Sequence, residues 1–421
     1  MIMRVLWIAQ NGGKYKNNKI KGTGGWIGAL QEELLKYDNN VELGIVFPVL
    51  TNESPITEGR TSYFPYKMST GQNKLERLIY YAKKKWEKDD ELCSEQILRV
   101  VNQFDPDIIH VWGIEFAHSA VIPNLNKPCV VHIQGLTALY VYTYIPPFLS
   151  EVDLKKCNSW FERIILHHGE YEEYQNYIRR ANREIAISPF VRNWIGRTDW
   201  DYEASQLLSK NSRYFNGEEV MRNDFKEKKW NYHYNGILHI QSNIANGWYK
   251  GIDVVLKTAE VLKNHSINFE WNIYGIKRDS RIVNYIIKKC HIKPEDVNVI
   301  FHGSVDGETI VKSLLTSDVY VHPSYIENSS NAIAEAMYLG LPVVAQYVGG
   351  NPSMLKEESG ILVAPNEPYS MAFNLMELRK KEVAEKYSIK AIEVAEKRQD
   401  NQKTVANLLE IYKTVIKDHK Q

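Results

Sequence analysis

The sequence predicts an α/β chain made of two doubly wound parallel-sheet domains. Three observations predict it. Short apolar runs between polar loops recur along the chain, as in strands buried on both faces. Stretches with helical apolar spacing lie between them. The alternation lapses after about residue 200 and restarts near residue 236. A chain of 421 residues, 44% hydrophobic and 24% charged, has the size and composition of a globular protein of two or three domains. Lys+Arg 52 against Asp+Glu 51 leaves no global field to draw it to nucleic acid. No apolar run reaches the ~18 residues of a membrane-spanning helix. The run from Met1 to Ala9 is too short for a signal-peptide core, so a cytoplasmic protein is expected. Cys93, Cys129, Cys157 and Cys290 form no CxxC pair and read as buried reduced thiols.

Val5 to Ala9 is the first strand, followed by a glycine-rich loop from Asn11 to Gly25. Trp26 to Leu35 is a helix, with Ile27, Leu30, Leu34 and Leu35 at helical spacing. Val41 to Phe47, Ile108 to Trp112 and Cys129 to Ile133 are the next strands, the second of them introduced by the turn Asp105-Pro106-Asp107. Ile185-Ala186-Ile187 reads as a fifth strand running into a helix at Ser188-Pro189. Residues 201–235, polar and aromatic without a clean period, read as a linker region. Five further strands are expected at Ile237 to Ile240, Phe269 to Tyr274, Val297 to Phe301, Val319 to Val321 and Pro342 to Ala345. Helices at Ile252 to Lys263 and Thr309 to Leu315 lie among them. Lys403 to Ile416 carries Val405, Leu408, Leu409, Tyr412 and Val415 on one stripe of a helix. The expected division is an N-terminal domain over 1–200 and a C-terminal domain over 201–399, with a last helix over 400–421. Two such domains imply a cleft, with ligands beyond the strand carboxyl ends.

The residues following the strands hold the chemistry. Glu327 to Met337 follows a strand and His322-Pro323-Ser324. Ser329, Ser330 and Asn331 suit a helix N-cap, and Gly340 and Pro342 mark that helix's end. A helix N-terminus placed there is an anion site. Glu327 precedes the helix, and Glu335 stands roughly 9 Å along it, leaning back toward its start. A diphosphate on the helix end would leave one carboxylate near a ribose and the other near a sugar, both rich in hydroxyl donors. A polar loop and a solvent-facing glutamate would explain the same residues. A second glycine loop, Gly349-Gly350, suits close backbone approach to a ligand, with Asn351 capping a helix that has Pro352 first. Lys250, just before a helix, is a further phosphate ligand or a surface lysine.

These pieces resemble a retaining glycosyltransferase of GT-B family four, the group with an E-x7-E motif. The resemblance rests on Lys250-Gly251, Ile273-Tyr274-Gly275, Phe301-His302-Gly303, His322-Pro323-Ser324, the Glu327/Glu335 pair, Gly340-Leu341-Pro342-Val343, Gly349-Gly350-Asn351-Pro352 and Gly360-Ile361-Leu362-Val363. More loosely, Gly24-Gly25, Asp107-Ile108-Ile109-His110 and Ile187-Ser188 extend it to the N-terminal half. It implies two Rossmann-like domains, with the helix 400–421 packing back on the first. It implies a nucleotide-diphosphate sugar as donor, no metal or other cofactor, and a glycan or lipid-linked acceptor, in bacterial polysaccharide assembly. Glu335 would bind the ribose, and Glu327 would lie by the donor sugar and the reacting bond. Ser329, Ser330 and Asn331 would hold diphosphate or sugar, and Lys250 would neutralise the diphosphate. Gly24 and Gly25 would approach the phosphate or acceptor, and His132 would stand near the transferred sugar. The family's Gly-Arg before Lys-Gly is replaced by Ile240-Gln241-Ser242-Asn243. Ser242 and Asn243, or Lys277 or Arg278, are the candidate substitutes.

Competing readings stay open at this stage. Asp105-Pro106-Asp107 and Asp199-Trp200-Asp201 match the DxD of metal-dependent transferases on paper. A sugar-nucleotide epimerase of the same fold, or a non-catalytic sugar- or nucleotide-binding protein, would share the binding groups. Gly22-Thr23-Gly24-Gly25 invites a dinucleotide site, but Ile27 stands where its third glycine is needed. Tyr140 to Arg180, with Lys155, Lys156, Arg163, Arg179 and Arg180, suits a lipid-linked glycan or a peripheral contact with the inner membrane leaflet, or simply a solvated helix face.

Overall fold

The computed structural model describes residues 2–17, 25–68, 76, 79–80, 88–158 and 169–420. The chain forms two units. Unit 1 takes Met1–Val141, Leu154–Val220 and Asp400–Gln421, and unit 2 takes Tyr142–Asp153 and Met221–Gln399.

Unit 1 is built on eight strands: β1 (Met3–Ile8), β2 (Val41–Val49), β3 (Ile56–Glu58), β4 (Thr61–Lys67), β5 (Ile108–Trp112), β6 (Cys129–His132), β7 (Asn193–Gly196) and β8 (Arg213–Asn216). Their order is β3-β4-β2-β1-β5-β6-β7-β8, parallel except for the β3–β4 hairpin. Alternate residues of β1 go to opposite faces, and both faces are covered. Val5 and Trp7 pack with Leu30 and Leu34 of the helix Gly25–Tyr37 and with Leu408 and Tyr412 of the helix Asn401–His419. Leu6 and Ile8 pack with Ile97 and Val101 of the helix Asp89–Phe104. Tyr412 sets this arrangement with its hydroxyl, which accepts from Trp7 Nε1 at 3.1 Å and meets His110 Nδ1 at 2.6 Å.

Unit 2 carries six parallel strands: β9 (Leu238–Asn243), β10 (Phe269–Tyr274), β11 (Val299–Gly303), β12 (Val319–His322), β13 (Val343–Gln346) and β14 (Ile361–Val363). The order β11-β10-β9-β12-β13-β14 reverses direction between β9 and β12. That is the switch point where open α/β sheets bind ligands. The segment Tyr142–Asp153 belongs here by packing. Tyr144 faces the Tyr249 ring at 5.9 Å, and Lys257 lies over Phe148 at 4.6 Å. Asp153 accepts from Ser150 N and Oγ, from Tyr285 Oη at 2.8 Å and from Lys289 Nζ at 2.6 Å.

Three expectations are corrected. Ile185-Ala186-Ile187 is no strand but the last turn of the helix Glu170–Ile187. That helix buries Tyr177, Ala181, Glu184 and Ile187 at helical spacing and leaves Ile185 exposed. The strand is β7, after the 3-10 turn Ser188–Phe190. The first part of the expected linker 201–235 instead belongs to the helix Asp199–Leu208, capped by Thr198, and to the edge strand β8. The helix Asn351–Met354 is capped by Gly350; Asn351 turns inward and donates to the Gln346 carbonyl at 2.9 Å. None of the four cysteines is in a disulfide, and of the four only Cys93 is buried. Among the described residues no helix is long and apolar enough to cross a membrane.

Candidate active site

The loop after β12 and the helix Asn331–Leu339 form the centre of the site in unit 2. Ser330 caps the helix, its Oγ accepting from Ile333 N at 3.4 Å, and Gly340 ends it in the left-handed region. Ser330 is buried, Ser329 is half-buried and Asn331 is exposed. The cap takes only one of the first N–H groups, so the helix start keeps donors and positive dipole for an anion. Both amide atoms of Asn328 are buried without a hydrogen-bond partner among the described residues. Such a polar group is costly to bury unless a ligand or solvent meets it.

Glu327 is held from three directions. Lys250 Nζ lies 2.8 Å from its Oε2, and His322 Nε2, at the end of β12, lies 3.2 Å from the same oxygen. The Glu327 carbonyl accepts from Gly350 N at 2.9 Å. Burial by itself would raise the Glu327 carboxyl, but Lys250 and His322 overcome it and hold the group well below the usual carboxylate range. Burial opposes the Lys250 charge in turn, and Glu327 more than offsets it. Both side chains are therefore ionised at neutral pH, in a site only 14–16% exposed. Gly251 fixes the Lys250 turn: its φ is +75°, and a Cβ there would stand 1.9 Å from the Pro323 carbonyl oxygen. Gly349 and Gly350, expected to approach a ligand, pack on the backbone of Glu327: a Cβ on Gly349 would meet its carbonyl oxygen, and Gly350 N donates to that oxygen.

Glu335 lies about one turn into the same helix, with its side chain 11% exposed, and pairs with Arg222. Sequence reasoning missed Arg222, since nothing in Met221-Arg222-Asn223-Asp224 marks it and its partner lies 113 positions away. Asn243 ends β9 with its Oδ1 accepting from Gln241 Nε2 at 3.0 Å. Ser242 is fully buried; its hydroxyl donates to Val321 O at 2.7 Å and accepts from Trp271 Nε1 at 3.1 Å. It therefore knits β9 to β12 and β10 and is closed to a ligand. Arg278, one candidate for the missing arginine, is bound to Glu295 at 2.7 Å and Asn284 at 3.1 Å. Lys277 is exposed and lies beside Gly303, the last residue of β11.

The remaining candidates lie in unit 1. Gly24 falls outside the described residues, and Gly25 begins the first helix. His132 ends β6, buried, stacked 4.7 Å from Trp112 and 5.4 Å from His110. Neither of its ring nitrogens has a partner among the described residues. Burial first, then His110 and the Arg197 charge, push it well below the ordinary histidine range, so it is neutral. Asp199 and Asp201, one of the two DxD matches, open a helix. Asp201 is buried, accepts from Arg197 N at 2.8 Å, and is pushed by burial up to about 6. Asp105, in the other, is a helix C-cap at φ +45°, salt-bridged to Lys127. In the basic aromatic stretch, Lys155 lies over Tyr171 and Arg180 over Phe116, while Arg163 is outside the described residues.

Residues 236–381 match the family described as glycosyl transferases group 1. An uncharacterized glycosyltransferase of Methanocaldococcus jannaschii, MJ1607, is 31% identical over 156 residues, 34% of this chain and 39% of that protein. A putative colanic acid biosynthesis glycosyltransferase of Escherichia coli, WcaL, is 29% identical over 133 residues, 30% of this chain and 32% of that protein. The matched stretch thus spans about a third of these relatives. The structure of sucrose-phosphate synthase from Thermosynechococcus elongatus superposes on 99% of this chain with a TM-score of 0.68 at 15% identity, covering 100% of that chain. The fold is therefore GT-B, two Rossmann-like parallel-sheet domains. The stretch 236–381 that matches this family holds Lys250, His322, Glu327 and Glu335.

Proposed function

We propose that the protein is a retaining glycosyltransferase that moves a sugar from a nucleotide diphosphate to a hydroxyl of a glycan or lipid-linked acceptor, without a metal ion. One observation carries this: at the switch point of the second sheet, an ionised Lys250–Glu327 pair sits against the N-terminus of a helix that also bears Glu335. In the reaction the anomeric C–O bond to the diphosphate breaks and a C–O bond to the acceptor forms. Negative charge grows on the departing diphosphate, and fixed donors aimed at it lower the barrier. The helix start and Lys250 supply such donors. Glu335 accepts from ribose hydroxyls, and Glu327 from hydroxyls of the donor sugar. The orphaned Asn328 amide is a further partner for sugar or phosphate oxygen. On the resemblance, His132 is assigned to the transferred sugar, and Gly24 and Gly25 to the phosphate or acceptor. Attack from the face of departure retains the anomeric configuration, with the acceptor proton passing to the leaving phosphate. A role in surface-polysaccharide assembly follows from the resemblance; the name of WcaL gives that protein a putative place in colanic acid biosynthesis.

A thermal-shift panel of uridine, guanosine, adenosine and thymidine diphosphates and their sugars, with EDTA and with magnesium, tests this. A ligand at 100 times its dissociation constant stabilises by about 2.7 kcal/mol. One base should raise the midpoint with EDTA present and lose the effect in Glu335→Ala. A midpoint unmoved by every nucleotide would overturn the reading in favour of a sugar-binding protein.

A further inference from the structure

We propose that Arg222 determines specificity for the nucleoside, forming with Glu335 a donor–acceptor pair for the vicinal hydroxyls of a ribose. The inference rests on the function proposed above and adds a residue that neither the motif nor the matched domain, which begins at residue 236, contains.

Arg222 precedes the 3-10 turn Asn223–Phe225, which packs against the helices Gly307–Leu315 and Asn331–Leu339. Its Nη2 donates to Glu335 Oε1. The Glu335 side chain is 11% exposed and the Arg222 side chain 35%, so the pair is more closed at Glu335 and more open at Arg222. The guanidinium is also held in place. It lies over the Phe225 ring at 5.1 Å. Gly307 lies near it: a Cβ there would stand 2.9 Å from Asp224 Oδ2 and 3.7 Å from Arg222 Nη1. A cation fixed in this way loses little freedom on binding.

A carboxylate only accepts hydrogen bonds, and a guanidinium only donates them. A vicinal diol does both. Glu335 alone takes the hydroxyl protons and leaves the hydroxyl oxygens unmatched. Arg222 brings five N–H donors in a rigid fork, and its link to Glu335 Oε1 leaves others to meet those oxygens. Arg222 also neutralises Glu335, which would otherwise repel a diphosphate, in a chain whose β9 ends Gln241-Ser242-Asn243 without an arginine.

The test is calorimetric binding of the nucleoside diphosphate found in the thermal panel and of its 2′-deoxy counterpart. It uses the wild type, Arg222→Met, Arg222→Lys and Glu335→Gln. The wild type should prefer the ribonucleotide by about tenfold, a difference of ~1.4 kcal/mol. Arg222→Met and Arg222→Lys should each bring the two affinities within about threefold, since lysine restores the charge and not the fork. Equal weakening of both ligands in both Arg222 variants would overturn the proposal and make Arg222 a neutraliser of Glu335 only. A preference lost in Glu335→Gln but kept in the Arg222 variants would overturn it as well, with the proposed function standing. A wild type that binds no nucleoside diphosphate would remove the functional reading and this proposal together. Arg222→Lys keeps the ion pair, so the comparison survives if Arg222→Met fails to fold.

Discussion

The carbonyl oxygen of Glu327 occupies the place where a side chain on residue 349 would begin, 1.9 Å from the Cβ that Gly349 lacks. Gly349 has φ +49°, and the next amide, Gly350 N, donates to that same carbonyl at 2.9 Å. The glycine loop after β13 is thus a clamp on the loop that aims Glu327. Gly349→Ala should force the two loops apart and lower stability by about 2 kcal/mol or more, combining left-handed strain with the clash. Nucleotide-sugar turnover should fall further than nucleotide binding, because Glu335 is not on the clamp. Urea midpoints and the split between kcat and KM read the two effects. An unchanged midpoint would show that the loops yield freely.

The Lys250–Glu327 pair predicts a non-additive cycle. Lys250→Met leaves Glu327 in a nearly closed site with only His322, and Glu327→Gln leaves Lys250 uncompensated. Each should cost about 3–5 kcal/mol of stability, and the double variant less than their sum. Turnover in Lys250→Met should fall roughly 10²–10³-fold, as for a lost donor to developing charge. Additive stability losses would mean that the two charges do not depend on each other.

Glu184 gives a pH prediction. It is fully buried in unit 1, and its Oε2 accepts from Thr137 Oγ1 and Ala138 N, each at 2.7 Å. Burial pushes its carboxyl up from 4.5 to about 8, against the pull of those donors. Between those two values the folded protein keeps a proton that the unfolded chain has lost, so stability falls as pH rises across that window. Glu184→Gln removes the titration and keeps an acceptor for both donors. The variant should gain on the wild type by at least about 1.4 kcal/mol between pH 5 and pH 9 in urea midpoints. Parallel stability curves would show that Glu184 is ionised in the fold.

Asp153 predicts a change in proteolysis. Ser150 donates to it from within the segment Tyr142–Asp153, while Tyr285 and Lys289 donate from the rest of unit 2 and fasten the segment there. Burial works to raise this carboxyl, but Lys289 and the hydroxyl donors hold it well below the usual range. Its contribution is present above the unfolded value near 3.8 and is lost as pH falls below it. Asp153→Ala should open the segment to limited proteolysis at neutral pH while the sheet of unit 2 stays protected. Unchanged cleavage would assign the fastening to Tyr144 and Phe148.

What could be read from the chain followed the range of the forces. β9, β10 and β12 were legible because each is a short apolar run beside a helix of clear period. The helix Asn331–Leu339 was legible because its cap and its Gly340 stop are local chemistry. Glu327 and Glu335 stood out because they flank the start of that helix, one just before it and one within it. Arg222 was hidden, since its meaning depends on a partner from another element. Ile185-Ala186-Ile187 misled because three apolar residues in a row fit a strand as well as a helix end, and only the burial of Tyr177 and Ala181 decides between them. The β3–β4 hairpin, with Pro65 inside β4, gave no clean alternation to find.

Tyr412 meets Trp7 across 405 positions of sequence, and this has a consequence for biosynthesis. Strands β1 to β8 leave the ribosome well before the helix that covers one face of their sheet. At about 5–20 residues per second, the interval from Val220 to Asp400 is on the order of ten to forty seconds. During it the Val5–Trp7 face has the helix Gly25–Tyr37 but lacks the helix Asn401–His419, so it is covered only in part, whereas Met221–Gln399 arrives as one run and can close its own core. The first unit to be translated is therefore the last to be completed. Chains stalled before residue 400 should lose unit 1 to protease and keep unit 2. In a growing cell, that interval is when a chaperone would find this protein.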